Sequence, residues 1–251
     1  MPNPKKNGCR LNKYIADSGF CSRRDADIYI AAGKVTIDGR IGVLGDIVSE
    51  EMRVMVDGKT VVPETQYAYI ALNKPRGIVC TADPREPYNV VDYISHEKRI
   101  YPVGRLDKDS SGLLLLTSDG SVVNKILRAA GGHEKEYIVS VDKPVTQAFL
   151  RQMRRGVPIL DTVTLPCICE KISERQFRII LIQGLNRQIR RMCEYLGYRV
   201  TSLTRIRIMH IVLGNLKPGH WRNLTEEEVQ ILLATEERRP SWKTEEGGMD
   251  E

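Results

Sequence analysis

Apolar positions come in short, interrupted groups over the first sixty residues and in longer runs after Tyr67. In "RLNKYIADSG", Leu11, Tyr14, Ile15 and Ser18 share one helical face, and Gly19 offers a left-handed helix end. "SRRDADIYIAAG" predicts a second helix, opened by Ser22 with Asp25 three residues on as a capping box and closed by Gly33. "VTIDGRI" and "VMVDGKTV" place Asp38-Gly39 and Asp57-Gly58 between β-prone runs, the strongest short-range hairpin signal. A module of two helices and hairpins over residues 1–62 follows, and Val61–Gln66 reads as a linker. Beyond it, "YAYIALNKPRGIVCT" reads as strand, loop, strand, broken at Lys74-Pro75 because proline cannot donate to a ladder. "GLLLLT", "KEYIVSV" and "FRIILI" read as strands, and "NVVDYIS" and "SVVNKILRA" as short helices. "TEEEVQILLAT" is a late helix capped by Thr225 with Glu228. No regular βαβ rhythm appears, so residues 67–235 should form an α+β domain on a mainly antiparallel mixed sheet flanked by helices. From about Glu236 the chain is charged and nearly without apolar anchors, and we expect residues 236–251 to be disordered.

Composition narrows the class. The 251 residues and their 41% hydrophobic content suffice for a large and a small domain. Six cysteines at 9, 21, 80, 167, 169 and 193 form no C-x-x-C pair and have no histidine at zinc spacing, so reduced thiols and no metal are expected. Neither a phosphate loop nor a dinucleotide fingerprint is present, and no cofactor is expected. The amino terminus has no signal-peptide core and no stretch approaches the ~20 apolar residues of a membrane span, which predicts a cytoplasmic protein without a membrane partner.

Charge adds a polyanionic partner. The chain carries 38 Lys and Arg against 32 acids. Arg10 and Lys13 flank the first helix, and Arg23 and Arg24 open the second, where unpaired amides favour an anion such as phosphate. "LIQGLNRQIRRMCEYLGYRVTSLTRIRIMH" holds arginines at 187, 190, 191, 199, 205 and 207 against one acid, Glu194. On a helix starting near Asn186, Ile189, Met192, Cys193 and Leu196 share a face, with Arg187, Arg190 and Arg191 on the opposite flank. In "YPVGRLDKDSSGLLLLTSDG", Asp107 stands at the edge of a four-leucine run, where lost solvent would raise its pKa unless a cation compensated. Taken alone, the loop could equally be a turn built by Asp109, Ser110 and Ser111.

"RLNKYIADSGFCSRRDADIYIAAGKVTIDG" resembles the S4-type RNA-binding module. "LNKPRG" at 72–77, "GRLDKDSSGLLLLTSDG" at 104–120, "KEYIV" at 135–139 and "LIQGLNRQIRRMCEYLG" at 181–197 resemble, in order, the motifs of the pseudouridine synthases that carry such a module. The resemblance spans about Arg10 to Ala234. It implies isomerisation of uridine in large-subunit ribosomal RNA, with transfer RNA as a second candidate substrate and a monomeric enzyme. It also implies Asp107 as nucleophile or base, Tyr137 as stacking platform and Arg190 as the cation beside Asp107. Arg105 would fill the space of the flipped uridine, and Lys74 would support the tyrosine and pocket wall. Asn186, Arg187, Gln188 and Arg191 become RNA-contact candidates beside Arg10, Lys13, Arg23 and Arg24. The alternative is a non-catalytic RNA-binding or ribosome-assembly factor that uses the fold as a clamp. A carboxylate glycoside hydrolase would need a second acid, for which Asp109 is the near candidate.

Overall fold

In the computed structural model, residues 8–83, 85–127 and 132–234 are described; the charged tail from Glu236 lies outside them. Two compact units emerge. One runs through Ala68 and includes Glu97–Arg99 and Ser118–Gly120; the other takes Tyr69–His96, Ile100–Thr117 and the chain from Ser121.

The first unit follows from local chemistry. β1 (Cys9–Arg10) leads into α1 (Leu11–Asp17), whose Leu11, Tyr14 and Ile15 are buried, and Gly19 takes the left-handed φ of +77° behind it. α2 (Arg23–Ala31) begins in a full capping box: Asp25 N donates to Ser22 Oγ at 3.1 Å, and Ser22 N to Asp25 Oδ2 at 3.3 Å. The strands β2 (Val35–Ile37), β3 (Arg40–Ile41), β5 (Val54–Val56) and β6 (Lys59–Val61) form an antiparallel sheet in the order β3-β2-β5-β6, and β4 (Ile47–Val48) pairs with β1. Both Asp-Gly turns have positive φ at both residues, as a two-residue hairpin with the native twist requires.

The second unit is built on one nine-stranded sheet, and its strands and helices are these. β7 (Tyr69–Lys74), β8 (Tyr101–Val103), β9 (Ser111–Thr117) and β10 (Lys135–Val141) alternate with α3 (Val90–Ile94) and α4 (Gly120–Leu127). α5 (Gln147–Arg155) is followed by the small ribbon β11 (Pro158–Ile159) and β12 (Thr162–Val163), then β13 (Ile168–Ser173) and β14 (Gln176–Leu181). α6 (Gln188–Tyr195), β15 (Val200–Ile208), β16 (Ile211–Val212), β17 (Trp221–Asn223) and α7 (Glu226–Ala234) complete it. The sheet order is β13-β14-β10-β15-β9-β7-β17, with β16 on β15 and β8 on β9. Its pairs are antiparallel except β9 with β15, which bears out the expected α+β class. Cys167 and Cys169 both enter the core, alongside Phe149, Met153, Ile179 and Met192.

Strand β9 is the hinge of this topology. One edge pairs with β7 along six residues, whereas the other is divided: β15 takes Ser111 and Gly112, and β8 takes Leu115 to Thr117. The parallel contact is close. A Cβ on Gly112 would stand 2.2 Å from the carbonyl oxygen and 2.7 Å from the nitrogen of Arg205, and Gly112 has φ +100°. Only a residue without a side chain fits.

The helix expected from Asn186 starts instead at Gln188. Arg187 occupies the cap position with φ +50°, and the Gln188 side chain turns back to accept the Leu185 amide at 3.0 Å.

Gly112→Ala should therefore cost roughly 3 kcal/mol or more in urea unfolding, since strand backbones must separate. Gly58→Ala, with φ +75° and no atom within 4 Å of its Cβ, should cost roughly 1–2 kcal/mol.

Candidate active site

The loop from Gly104 to Ser110, between β8 and β9, is held from several directions. Ser110 N donates to Asp107 O at 3.0 Å, closing the turn that aspartate and serine favour. Gly77 N donates to Lys108 O at 2.8 Å, and Arg76 Nε to Asp109 O at 2.9 Å. Leu106 is buried, its amide 3.3 Å from Cys80 Sγ. Arg190 Nη2 reaches Ser110 Oγ at 3.2 Å and Asp109 O at 3.3 Å. So fixed, the loop leaves one carboxylate facing a cleft of about 400 Å³.

Asp107 Oδ2 lies 3.7 Å from Arg190 Nε and 3.7 Å from Arg187 Nη1. These are ion pairs without hydrogen-bond geometry. Arg190 Nε is buried and has no acceptor among the described residues. Burial, then the charge of Arg187, pulls the Arg190 guanidinium below its usual value, with Asp107 and Asp109 opposing. An arginine nonetheless remains charged at neutral pH. The Arg190 side chain is 13% exposed, so it does not form the solvated arginine edge expected from helical spacing: the carbonyl of Asp109 and the carboxylate of Asp107 draw it inward.

Tyr137 lines the same cleft, half-buried on β10, and Arg105 lines it from the exposed side of the loop. Among the described lining residues Asp107 is the only carboxylate, facing the cations Arg105, Lys135, Arg187, Arg190 and Arg205. Asp109 does not line the cleft. The two-carboxylate arrangement of a hydrolase is absent among these residues.

Other candidates separate. Lys74 is fully buried, donates from Nζ to Pro75 O at 2.8 Å, and does not line the cleft. Burial lowers its pKa, against the pull of Cys80, Asp107 and Asp109. Gln188 is buried in the cleft wall and its oxygen is committed to the Leu185 turn. Arg191 is tied to Asn186, from Nε to the carbonyl at 3.0 Å. In the first unit Arg10, Arg23 and Arg24 are exposed, while Lys13 pairs with Asp17. At the start of α2 the Asp25 amide is met by Ser22 Oγ and the Ser22 amide by Asp25 Oδ2.

Two cleft residues were absent from the expectations. Lys135 stands two residues before Tyr137, so strand alternation puts both on one face, a signal present in "KEY". Arg205 is hidden by an irregularity. β10 pairs Tyr137 with Arg205 but Glu136 with Arg207, so Ile206 is an extra residue. Two arginines that simple alternation would put on one face thereby part. Arg205 enters the cleft, while Arg207 meets Glu136 at 2.6 Å and Glu134 at 3.0 Å.

The family model for RNA pseudouridylate synthase matches residues 68–195 and that for the S4 domain residues 9–54. The chain belongs to the RNA pseudouridylate synthase family and carries an amino-terminal S4 domain. It is 54% identical over 226 residues to the dual-specificity RNA pseudouridine synthase RluF of Salmonella typhi, covering 89% of this chain and 78% of that one. It is 37% identical to ribosomal large subunit pseudouridine synthase B of Bacillus subtilis, covering 90% and 96%. A crystal structure of a pseudouridylate synthase superposes with a TM-score of 0.65 at 29% identity, covering 89% and 99%.

Burial, then the charge of Arg205, pushes the Lys135 ammonium down to about 8 from 10.5. The folded state then binds fewer protons at this site than the unfolded one between those values, so the lysine's cost is greatest below pH 8 and fades toward 10.5. Lys135→Met should melt above the wild type at pH 7, with the gap closing as pH rises toward 10; thermal melts across that range check it.

Proposed function

We propose that this chain isomerises uridine to pseudouridine at specific sites in large-subunit ribosomal RNA, with Asp107 as the catalytic carboxylate. The observation that carries the reading is a cleft in which Asp107, the one carboxylate among the described lining residues, meets five cations beside a half-buried tyrosine.

The chemistry needs these parts. A stacked uridine must leave its helix, at a cost of a few kcal/mol, and Arg105 at the exposed rim takes the space it vacates. Asp107 then attacks the sugar C1′ or removes the proton at C2′. On either route the N1–C1′ bond breaks and its electron pair leaves with uracil. Tyr137 holds the freed ring by stacking, worth roughly 1–3 kcal/mol and indifferent to the ring's rotation. After rotation a C5–C1′ bond forms as the link to Asp107 breaks or the C2′ proton returns, and the C5 proton is lost to a base. Atoms and electrons balance without an oxidant or reductant. Arg190 sets its positive charge beside Asp107 and braces its loop, and Lys74 supports the tyrosine and the pocket wall from within the core. Arg187, Asn186 and Arg191 contact the RNA backbone at the rim, and Gln188 shapes the wall that the RNA meets.

The amino-terminal module, residues 1–62, would hold flanking RNA through Arg10, Lys13, Arg23 and Arg24, and residues 67–235 would carry the chemistry. Transfer RNA is a second substrate on this reading; a relative is named a dual-specificity RNA pseudouridine synthase. The enzyme works as a monomer in the cytoplasm, where six free thiols, four of them buried, are at home. A non-catalytic clamp has no use for the Asp107 and Arg190 pair inside a cleft.

Purified protein should release tritium from large-subunit ribosomal RNA labelled at uracil C5, and Asp107→Asn should lose at least about 10³-fold in rate at unchanged RNA affinity. Tight binding without release by the wild type would favour the clamp. Deleting residues 1–62 should weaken RNA binding and flatten its salt dependence by about one unit of slope for each phosphate that the shortened protein no longer neutralises; an unaltered slope would contradict the division of labour.

A further inference from the structure

We infer that Arg205 and Lys135 form a cationic floor that takes up the negative charge of the detached uracil, Arg205 by donating a hydrogen bond to a uracil carbonyl and Lys135 as a second positive charge. The inference rests on the synthase reading above and adds two substrate-contacting residues to it.

Arg205 is 3% exposed and lines the cleft. Its Nε donates to Leu113 O at 2.7 Å, but its Nη2 is buried and has no partner among the described residues. A buried donor left unmade is costly, and such groups persist where a ligand completes them. The backbone of Arg205 is clamped against Gly112, so the donor is held in place before substrate arrives.

Lys135 shares the cleft, and among the described residues its Nζ donates to His133 O at 3.2 Å. The acids on either side of it in the chain are engaged elsewhere: Glu136 joins Arg178 and Arg207, each at 2.6 Å, and Glu134 joins Arg207. Asp107 has its own two arginines. Arg205, buried, and Lys135, half-buried, therefore stand together in the cleft, and Asp107, the carboxylate that lines it with them, is engaged by Arg187 and Arg190.

Chemistry and position select the ligand. The phosphates of a bound strand stay at the rim, near the exposed Arg105 and Arg187. Only the flipped base reaches a residue as buried as Arg205. That base is neutral before the N1–C1′ bond breaks and anionic after it, with charge spread over N1 and O2. An interaction stronger after cleavage than before accelerates the step. The charge leaves the floor when C5 bonds to C1′ and sheds its proton.

The test compares uridine with 5-fluorouridine at the modified position of one ribosomal RNA transcript, in single turnovers of wild type, Lys135→Met, Arg205→Lys and Arg205→Met, with nucleosides quantified by mass spectrometry. Fluorine makes the leaving uracil a more stable anion, so an enzyme lacking its charge floor should be partly rescued. We expect Lys135→Met and Arg205→Met to slow uridine consumption by about 10²-fold, with a loss about tenfold smaller on 5-fluorouridine, RNA affinity unchanged, and Arg205→Lys intermediate. Because Arg205 also braces Leu113, Lys135→Met keeps the test decisive if Arg205→Met fails to fold. Equal losses on both nucleosides, or full activity of folded Lys135→Met, would overturn the inference. Failure of the wild type to consume uridine would instead strike the synthase reading itself.

Discussion

The close parallel approach of β9 to β15 at Gly112 and Arg205 is the constraint on which the catalytic unit depends. It is the one parallel pairing in the described sheet, and it joins residues 93 positions apart in sequence, from Gly112 to Arg205. Because a Cβ at Gly112 would overlap the Arg205 backbone, the contact admits only glycine. Three consequences follow. β15 lies beside β9 only at its start, so β8 can take the other end of the same edge. The loop between β8 and β9 is thereby suspended over the cleft with Asp107 on it. Arg205 is pinned with its backbone against one strand and its Nε on the carbonyl of Leu113.

Charge is sorted between the two faces of the sheet. On one face Arg178, Glu136, Arg207 and Glu134 form a linked set of ion pairs, each cation with an acid. On the other, the cleft gathers five cations around Asp107. The extra residue at Ile206 performs the sorting, since it turns Arg205 to one side and Arg207 to the other. Withdrawing a cation from water beside another cation costs folding stability, as the Lys135 pKa, lowered first by burial and then by Arg205, registers. It also suits a substrate that arrives as a polyanion and becomes more negative at its base during reaction.

Local chemistry made much of the fold legible. Ser22 with Asp25, the two Asp-Gly turns, the stop at Lys74-Pro75 and Thr225 with Glu228 each specify their structure within four residues, and each stands as expected. Helix α5 has no counterpart among the expected elements, although Thr146 caps it, because its buried face is only Phe149, Leu150 and Met153 among polar residues. Spacing alone puts the start of α6 too early, because a left-handed Arg187 is dictated by the turn it closes, which spacing does not encode. Asp107, Tyr137 and Arg190 were identified through resemblance, since each has an ordinary structural explanation in isolation. Lys135 was within reach of strand alternation from Tyr137. Arg205 was not, because a bulge changes side-chain direction without a mark in the residue types.

The most direct test is a crystal structure with a ribosomal RNA fragment that the enzyme modifies, carrying 5-fluorouridine at the modified position. The uracil ring should stack on Tyr137, with the sugar C1′ within about 3.5 Å of an Asp107 oxygen, as a reacting pair requires, and a carbonyl hydrogen-bonded to Arg205 Nη2. A base seated outside the cleft, with Asp107 in solvent and Arg205 Nη2 still unpaired, would contradict it.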